Sequence, residues 1–184
     1  MKFIAIKNLI EYEKIIVDVF KQLAGNNIKS ENKDDIIFIY ADYENNEDIK
    51  DMLLAFEASL MTNIFAYIST DTSSVRLEKE EKLAIELLNV LKPGVYDLKS
   101  ALITNPILND KSDILSYILD GTGINETFVK GFVESNLNVS QAAKNMFIHR
   151  NTMIYKLDKL RTMTGFDIRE FKDAFILYLL INDR

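Results

Sequence analysis

Four side chains, Arg150, Asn151, Thr152 and Tyr155, have the types and the spacing to read the edges of DNA bases. Arginine can hold guanine through O6 and N7, asparagine can hold adenine through N6 and N7, and a threonine methyl can touch that of thymine. All four fall within two turns of a helix, with Tyr155 one turn beyond Asn151. Ser140, Lys144, His149, Lys156, Lys159 and Arg161 surround them and suit the sugar–phosphate backbone, which sets register without reading sequence. From Ser140 to Arg161 there are five basic residues and one acid, Asp158, inside a chain of net charge −6.

Such side chains need a rigid pair of helices to present them. Ser140 reads as the N-cap of a short helix, because its hydroxyl can accept from an N–H that the first turn leaves unpaired. Ala142, Ala143 and Met146 then share one face. Phe147-Ile148-His149 interrupts the pattern, with Ile148 as the apolar plug between two helices. A second helix is expected from near Arg150 to about 160, with Met153, Leu157 and Leu160 on its core side. Small residues at a helix crossing, followed by a helix that opens on Arg-Asn-Thr, form the pattern of a helix-turn-helix. The same spacing fits a protein–protein interaction module that uses the helix pair as scaffold without DNA, and motif matches of this kind do mislead.

Other chemistry finds no support in the residues. The chain has no cysteine, which excludes disulfides, thiolate metal sites and thiol catalysis. His149 is the only histidine, so neither a zinc site nor a Ser/His/Asp arrangement can be assembled. Gly121-Thr122-Gly123 lacks the lysine of a phosphate-binding loop and reads as a helix terminator. The acidic stretch Asp42 to Asp51 has no EF-hand spacing and reads as a solvated loop leading into a helix. No enzyme activity, cofactor or metal is expected.

At 184 residues the chain can hold one or two domains, and 48% hydrophobic with 27% charged residues is ordinary for a globular protein. Met1 to Lys7 makes a poor secretory signal and no apolar window reaches about 18 residues, so a cytoplasmic location without a membrane span is expected. A pI near 4.9 argues against sequence-blind coating of nucleic acid. The acid is concentrated elsewhere: Glu31 to Glu57 carries nine acids and two lysines.

The expected architecture is α+β, a small α/β domain over residues 1–105 followed by an all-α helix-turn-helix domain over 106–184. Ile16, Val19, Phe20 and Leu23 mark an amphipathic helix over 11–24, closed by Gly25-Asn26-Asn27. Ile36 to Tyr40 and Asn63 to Ser69 read as buried strands. Ile49, Met52, Leu53, Phe56 and Leu60 mark a helix over 48–60. Ala84, Leu87, Leu88 and Leu91 mark another over 78–91, stopped by Pro93-Gly94. Val95-Tyr96 reads as a short strand before a helical piece over 98–103. Strands alternating with helices give the α/β class, and Asn105-Pro106 the boundary. Ser112 and Asn125 read as caps of the next two helices, with Phe128 and Phe132 inward. The last helix, from Ile168 to about Ile181, is apolar nearly all round. One face holds Phe171, Ala174, Phe175, Tyr178 and Leu179. The other, with Ile176, Leu177 and Leu180, is expected to meet a second copy of the chain.

Asn136-Leu-Asn-Val-Ser-Gln-Ala-Ala-Lys144, Phe147-Ile-His-Arg-Asn-Thr152 and Tyr155-Lys-Leu157 resemble the C-terminal helix-turn-helix of the PucR/CdaR family, as does Leu160-Arg-Thr-Met-Thr-Gly-Phe-Asp-Ile-Arg-Glu-Phe171. The resemblance implies a bacterial transcriptional regulator with a Fis-like DNA-binding domain, with Arg150, Asn151, Thr152 and Tyr155 on the DNA-facing side. It also implies double-stranded DNA as a partner; with the second copy expected from the last helix, any small-molecule effector is left unknown. Residues 1–105 are similar, more weakly, to the family's central region, which has the shape of a diguanylate cyclase domain without its chemistry. No Gly-Gly-Asp/Glu-Glu-Phe sequence occurs, and the family's upstream sensor domain is expected to be missing. Ile154 stands where the family usually carries a basic residue, which predicts weaker phosphate attraction or altered sequence preference.

Overall fold

The computed structural model describes residues 2–25, 27–43, 45–70, 74–105 and 111–182, excepting the side chains at 74, 75, 111, 112 and 182. Asn26, Pro106 and the Ser112 side chain, to which a turn, a boundary and a cap were assigned from sequence, lie outside the described residues. The chain divides into two compact units, Met1–Thr104 and Asn105–Arg184.

The first unit is built on β1 (Lys2–Lys7), α1 (Glu13–Ala24), β2 (Lys29–Lys33), β3 (Ile36–Ala41), α2 (Asn46–Leu60), β4 (Phe65–Ile68), α3 (Ser74–Val90), β5 (Gly94–Tyr96) and α4 (Leu98–Thr104). The sheet order is β2-β3-β1-β4-β5. β1 runs antiparallel to β3 and β4, and β4 runs parallel to β5. The first six elements follow the split β-α-β-β-α-β plan.

Both faces of the sheet are covered, so its inner strands are apolar throughout rather than alternating. Ile4, Ile6, Ile37, Ile39, Ala66 and Ile68 pack with Ile16 and Phe20 of α1 and Ile49 and Leu53 of α2. The opposite face carries Phe3, Phe38, Tyr40 and Tyr67, whose ring centroids lie 5.5–6.4 Å apart. α3 closes that face, where the Tyr67 hydroxyl donates to buried Glu80 at 2.9 Å and the Tyr40 hydroxyl to Glu81 at 3.0 Å. Burial pushes the Tyr40 phenol up to about 12. Lys33 Nζ reaches Glu81 at 2.9 Å and ties edge strand β2 to α3.

Two strands were not foreseen. β1 occupies the N-terminal apolar run, too short for a secretory signal, that pairs with β3 and β4 instead. β2, Lys-Ser-Glu-Asn-Lys, has almost no apolar content because it is a charged edge. Leu23, expected inward, is 53% exposed. It borders a cleft of about 590 Å³ with Asp42, Tyr43, Asn45 and Asp48. Among the described residues no group of three His, Cys, Asp or Glu side chains could hold a metal ion. No helix there is long and apolar enough to cross a membrane.

The second unit is helical among its described residues: α5 (Lys111–Leu119), α6 (Glu126–Glu134), α7 (Val139–Asn145), α8 (Arg150–Thr164) and α9 (Phe171–Asn182). Asn125 caps α6, its side chain accepting from the Phe128 N–H at 2.9 Å. Phe128, Val129 and Phe132 are buried, as are Met153, Leu157 and Leu160 of α8. α9 packs against α5 and α6.

Candidate nucleic-acid interface

α7 and α8 form the helix-turn-helix, and the local sequence explains its joints. Asn138, not Ser140, caps α7: its side chain accepts from the Gln141 N–H at 2.9 Å. Ser140 already lies inside the first turn with its hydroxyl exposed, so it is a surface residue rather than a cap. Ala142 and Ala143 are buried, and a Cβ on Gly131 of α6 would come within 3.2 Å of Met146 Sδ. Small residues on both partners thus bring α6 and α7 close. Asn145 donates to the Ser135 hydroxyl at 3.0 Å and pins the far end of α7 to α6.

The turn itself depends on Phe147, which adopts φ 54°. Its N–H donates to the Lys144 carbonyl at 3.2 Å, and the Ile148 N–H donates to that of Ala143 at 3.0 Å. A left-handed conformation costs an L residue other than Asn or Asp roughly 1–2 kcal/mol. His149 then caps α8 through Nδ1, which accepts from the Asn151 N–H at 3.2 Å.

On α8 the buried residues fix the angular position of everything else. Met153, Leu157 and Leu160 face the core, so Asn151 and Tyr155 sit at the middle of the solvent face. Arg150 and Thr152 flank them on opposite sides. All four are exposed, Tyr155 by 66%. Arg161 follows Arg150 about 16 Å further along the same flank.

Of the backbone candidates, Ser140, Lys144, His149 and Arg161 are exposed, whereas Lys156 and Lys159 are part-buried. Lys156 Nζ lies 5.5 Å from the Phe128 ring centre and donates to the Gly123 carbonyl at 3.5 Å, which turns it back toward α6. Ile154 is part-buried as well, so it is not a free apolar handle.

Sequence reasoning missed a clamp beneath α8. Arg169 holds Asp167 with two hydrogen bonds, of 2.7 and 2.9 Å, and reaches Asp158 at 2.8 Å. The guanidinium holds the Asp167 carboxyl below its usual range. Asp158, the one acid in the basic stretch, therefore shares this cation with Asp167. The Asp-Ile-Arg spacing was visible in the sequence, but only the turn after Gly165 (φ 75°) brings it back onto α8.

The last helix corrects another expectation. Ile176, Leu177 and Leu180 are 3%, 0% and 1% exposed, because that side of α9 is filled by the unit's own helices. The open side carries Phe171 and Phe175, 72% and 46% exposed, with rings stacked at 5.8 Å.

Residues 127–182 match the family described as the PucR C-terminal helix-turn-helix domain. Residues 127–182 form a PucR-type helix-turn-helix domain. The PucR match spans α6 to α9 and so includes the Arg169 clamp as well as the reading face. Over 63 residues the chain is 30% identical to the carbohydrate diacid regulator of Escherichia coli (strain K12), covering 34% of this chain and 16% of that protein. Over 52 residues it is 38% identical to an uncharacterized protein of Bacillus subtilis (strain 168), YxkF, covering 28% and 18%. The matched stretch thus spans less than a fifth of either curated relative. In fold, 99% of the chain is similar to 80% of the crystal structure of a regulator of polyketide synthase expression from Bifidobacterium adolescentis, with a TM-score of 0.53 at 16% identity.

Proposed function

We propose that the chain is a sequence-specific, DNA-binding transcriptional regulator that acts as a homodimer, with α8 in the major groove. The observation that carries this reading is the solvent face of α8. Arg150, Asn151, Thr152 and Tyr155 stand exposed at the leading end of the second helix of a PucR-type pair. In this reading those four side chains read bases, while Ser140, Lys144, His149, Lys159, Arg161 and, once released from Phe128, Lys156 hold backbone. The acidic first unit limits non-specific attraction, so affinity depends on base contacts and on pairing of two copies. It is also the unit on which an effector would act.

For the dimer, the exposed Phe171–Phe175 side of α9 replaces Ile176, Leu177 and Leu180. With Val133, Asn136, Leu137, Ala174 and Tyr178 it lines a cleft of about 320 Å³ that has no charged side chain. A neutral apolar patch can meet its own image without like-charge contact, as a two-fold interface requires. Half-sites are then expected about one DNA turn apart.

Selection from a randomised duplex library, followed by titration of Arg150→Ala, tests the function. Arg150→Ala is expected to cost about 1–3 kcal/mol and to relax preference at one base pair. Lys144→Ala should instead weaken all duplexes alike and flatten the salt slope by about one. A wild-type chain that enriches no duplex at low salt would sink the proposal in favour of a docking module.

A further inference from the structure

Phe147 combines features that no role inside the chain explains. Its ring is 96% exposed, so it adds nothing to the packing of either helix. Its backbone sits at φ 54°, where glycine is at ease and an L side chain is not. Two backbone hydrogen bonds nonetheless hold the turn in place. A glycine would meet every demand of this turn, so the phenylalanine answers to something outside the folded chain.

We infer that Phe147 is a further DNA-contacting residue, its ring laid against sugar or base edge beside the site read by Arg150. This rests on the DNA-binding reading above. The ring precedes the cap of α8 by two residues and Arg150 by three, and so stands at the end of the helix that leads into the groove. From Ser135 to Leu157 the chain has no acid, while Lys144, Arg150 and Lys156 lie within that span. An exposed ring with the exposed Lys144 and Arg150 three residues to either side matches a polyanion whose sugars and bases offer apolar surface between phosphates. A protein partner would find the same ring, but the surrounding charge favours nucleic acid. An apolar contact releases no counterions, so it should add affinity without adding salt dependence.

The test uses the full chain and the duplex most enriched by the wild type, with anisotropy titrations at several salt concentrations and thermal melts. Phe147→Gly is expected to melt higher than wild type, yet bind about tenfold more weakly with an unchanged salt slope. Phe147→Tyr should recover most of the affinity. If Phe147→Gly binds as tightly as wild type while Arg150→Ala does not, the ring is no DNA contact although the functional reading stands. A Phe147→Gly chain that binds weakly and also melts lower would assign the ring a structural role and overturn the inference. Failure of the wild type to bind any duplex would remove both readings together.

Discussion

Both units bury aromatic side chains, but they differ in the ones they leave in water. In the first, Phe3, Phe20, Phe38 and Tyr67 are wholly buried, and among the described residues none of its aromatics is prominently exposed. In the second, Phe147, Tyr155, Phe171 and Phe175 stand in water, at 96%, 66%, 72% and 46% exposure. Large exposed apolar groups that gain nothing from folding point to contacts made after folding. The aromatics therefore separate what stabilises the chain from what it uses to meet others. Two of the turns differ as well. The β2–β3 hairpin takes its two positive-φ positions with Asp34 and Asp35, at 51° and 63°, residue types that tolerate that region. The helix-turn-helix takes one with a phenylalanine.

The widest gap between the units should appear in single truncations. Phe38→Ala removes a ring packed on Phe3 and Tyr40 at 5.5 and 6.4 Å. It is expected to cost about 3–5 kcal/mol in urea unfolding. Phe171→Ala should stay within about 0.5 kcal/mol of wild type. Equal losses at the two positions would erase the distinction between buried and presented aromatics.

A smaller effect separates the support of α8 from its reading face. Arg169→Ala leaves Asp167 and Asp158 without their shared cation and should destabilise the C-terminal unit by about 1.5–3 kcal/mol. Because Asp167 has a lowered folded-state pKa, its contribution is complete above the ordinary value of 3.8 and is lost as acidification passes through the lower folded value. Wild type should lose stability over that acid window, and Arg169→Ala should lose less there. DNA preference should be unchanged at neutral pH, which binding titrations would show. A variant that kept wild-type stability but changed base preference would move Arg169 into the interface.

How far the sequence could be read follows the same division. Elements with an apolar stripe were legible: β3, α2, α6 and α8 each showed their buried positions by spacing. β2 was not, because a charged edge strand hides its period, and only Asp34-Asp35 hinted at a turn. The cap of α7 was placed at Ser140 rather than Asn138, since both are good caps and only the backbone turn at Asn136 and Leu137 decides between them. The reading face of α8 was visible from residue types. Lys156 was not seen to lean on Phe128, because that contact spans 28 positions of chain.

The apolar last helix shows the limit most clearly, and it supplies the smallest expected change in stability. A stripe on every side says that a helix is buried twice, not which side its own chain buries. Here Leu177 is fully enclosed and Phe171 is not. Replacing Phe171 and Phe175 together with serine should therefore leave the unfolding free energy within about 0.5 kcal/mol per site. Sedimentation at micromolar concentration should nevertheless show a shift from dimer to monomer, with affinity for a two-half-site duplex falling more than for a single half-site. Leu177→Ala should do the reverse, lowering stability by about 2–5 kcal/mol while the surviving folded fraction still pairs. If the double serine variant sediments as wild type does, the copies meet elsewhere, and the exposed phenylalanines of α9 face a different partner from the one Phe147 is proposed to touch.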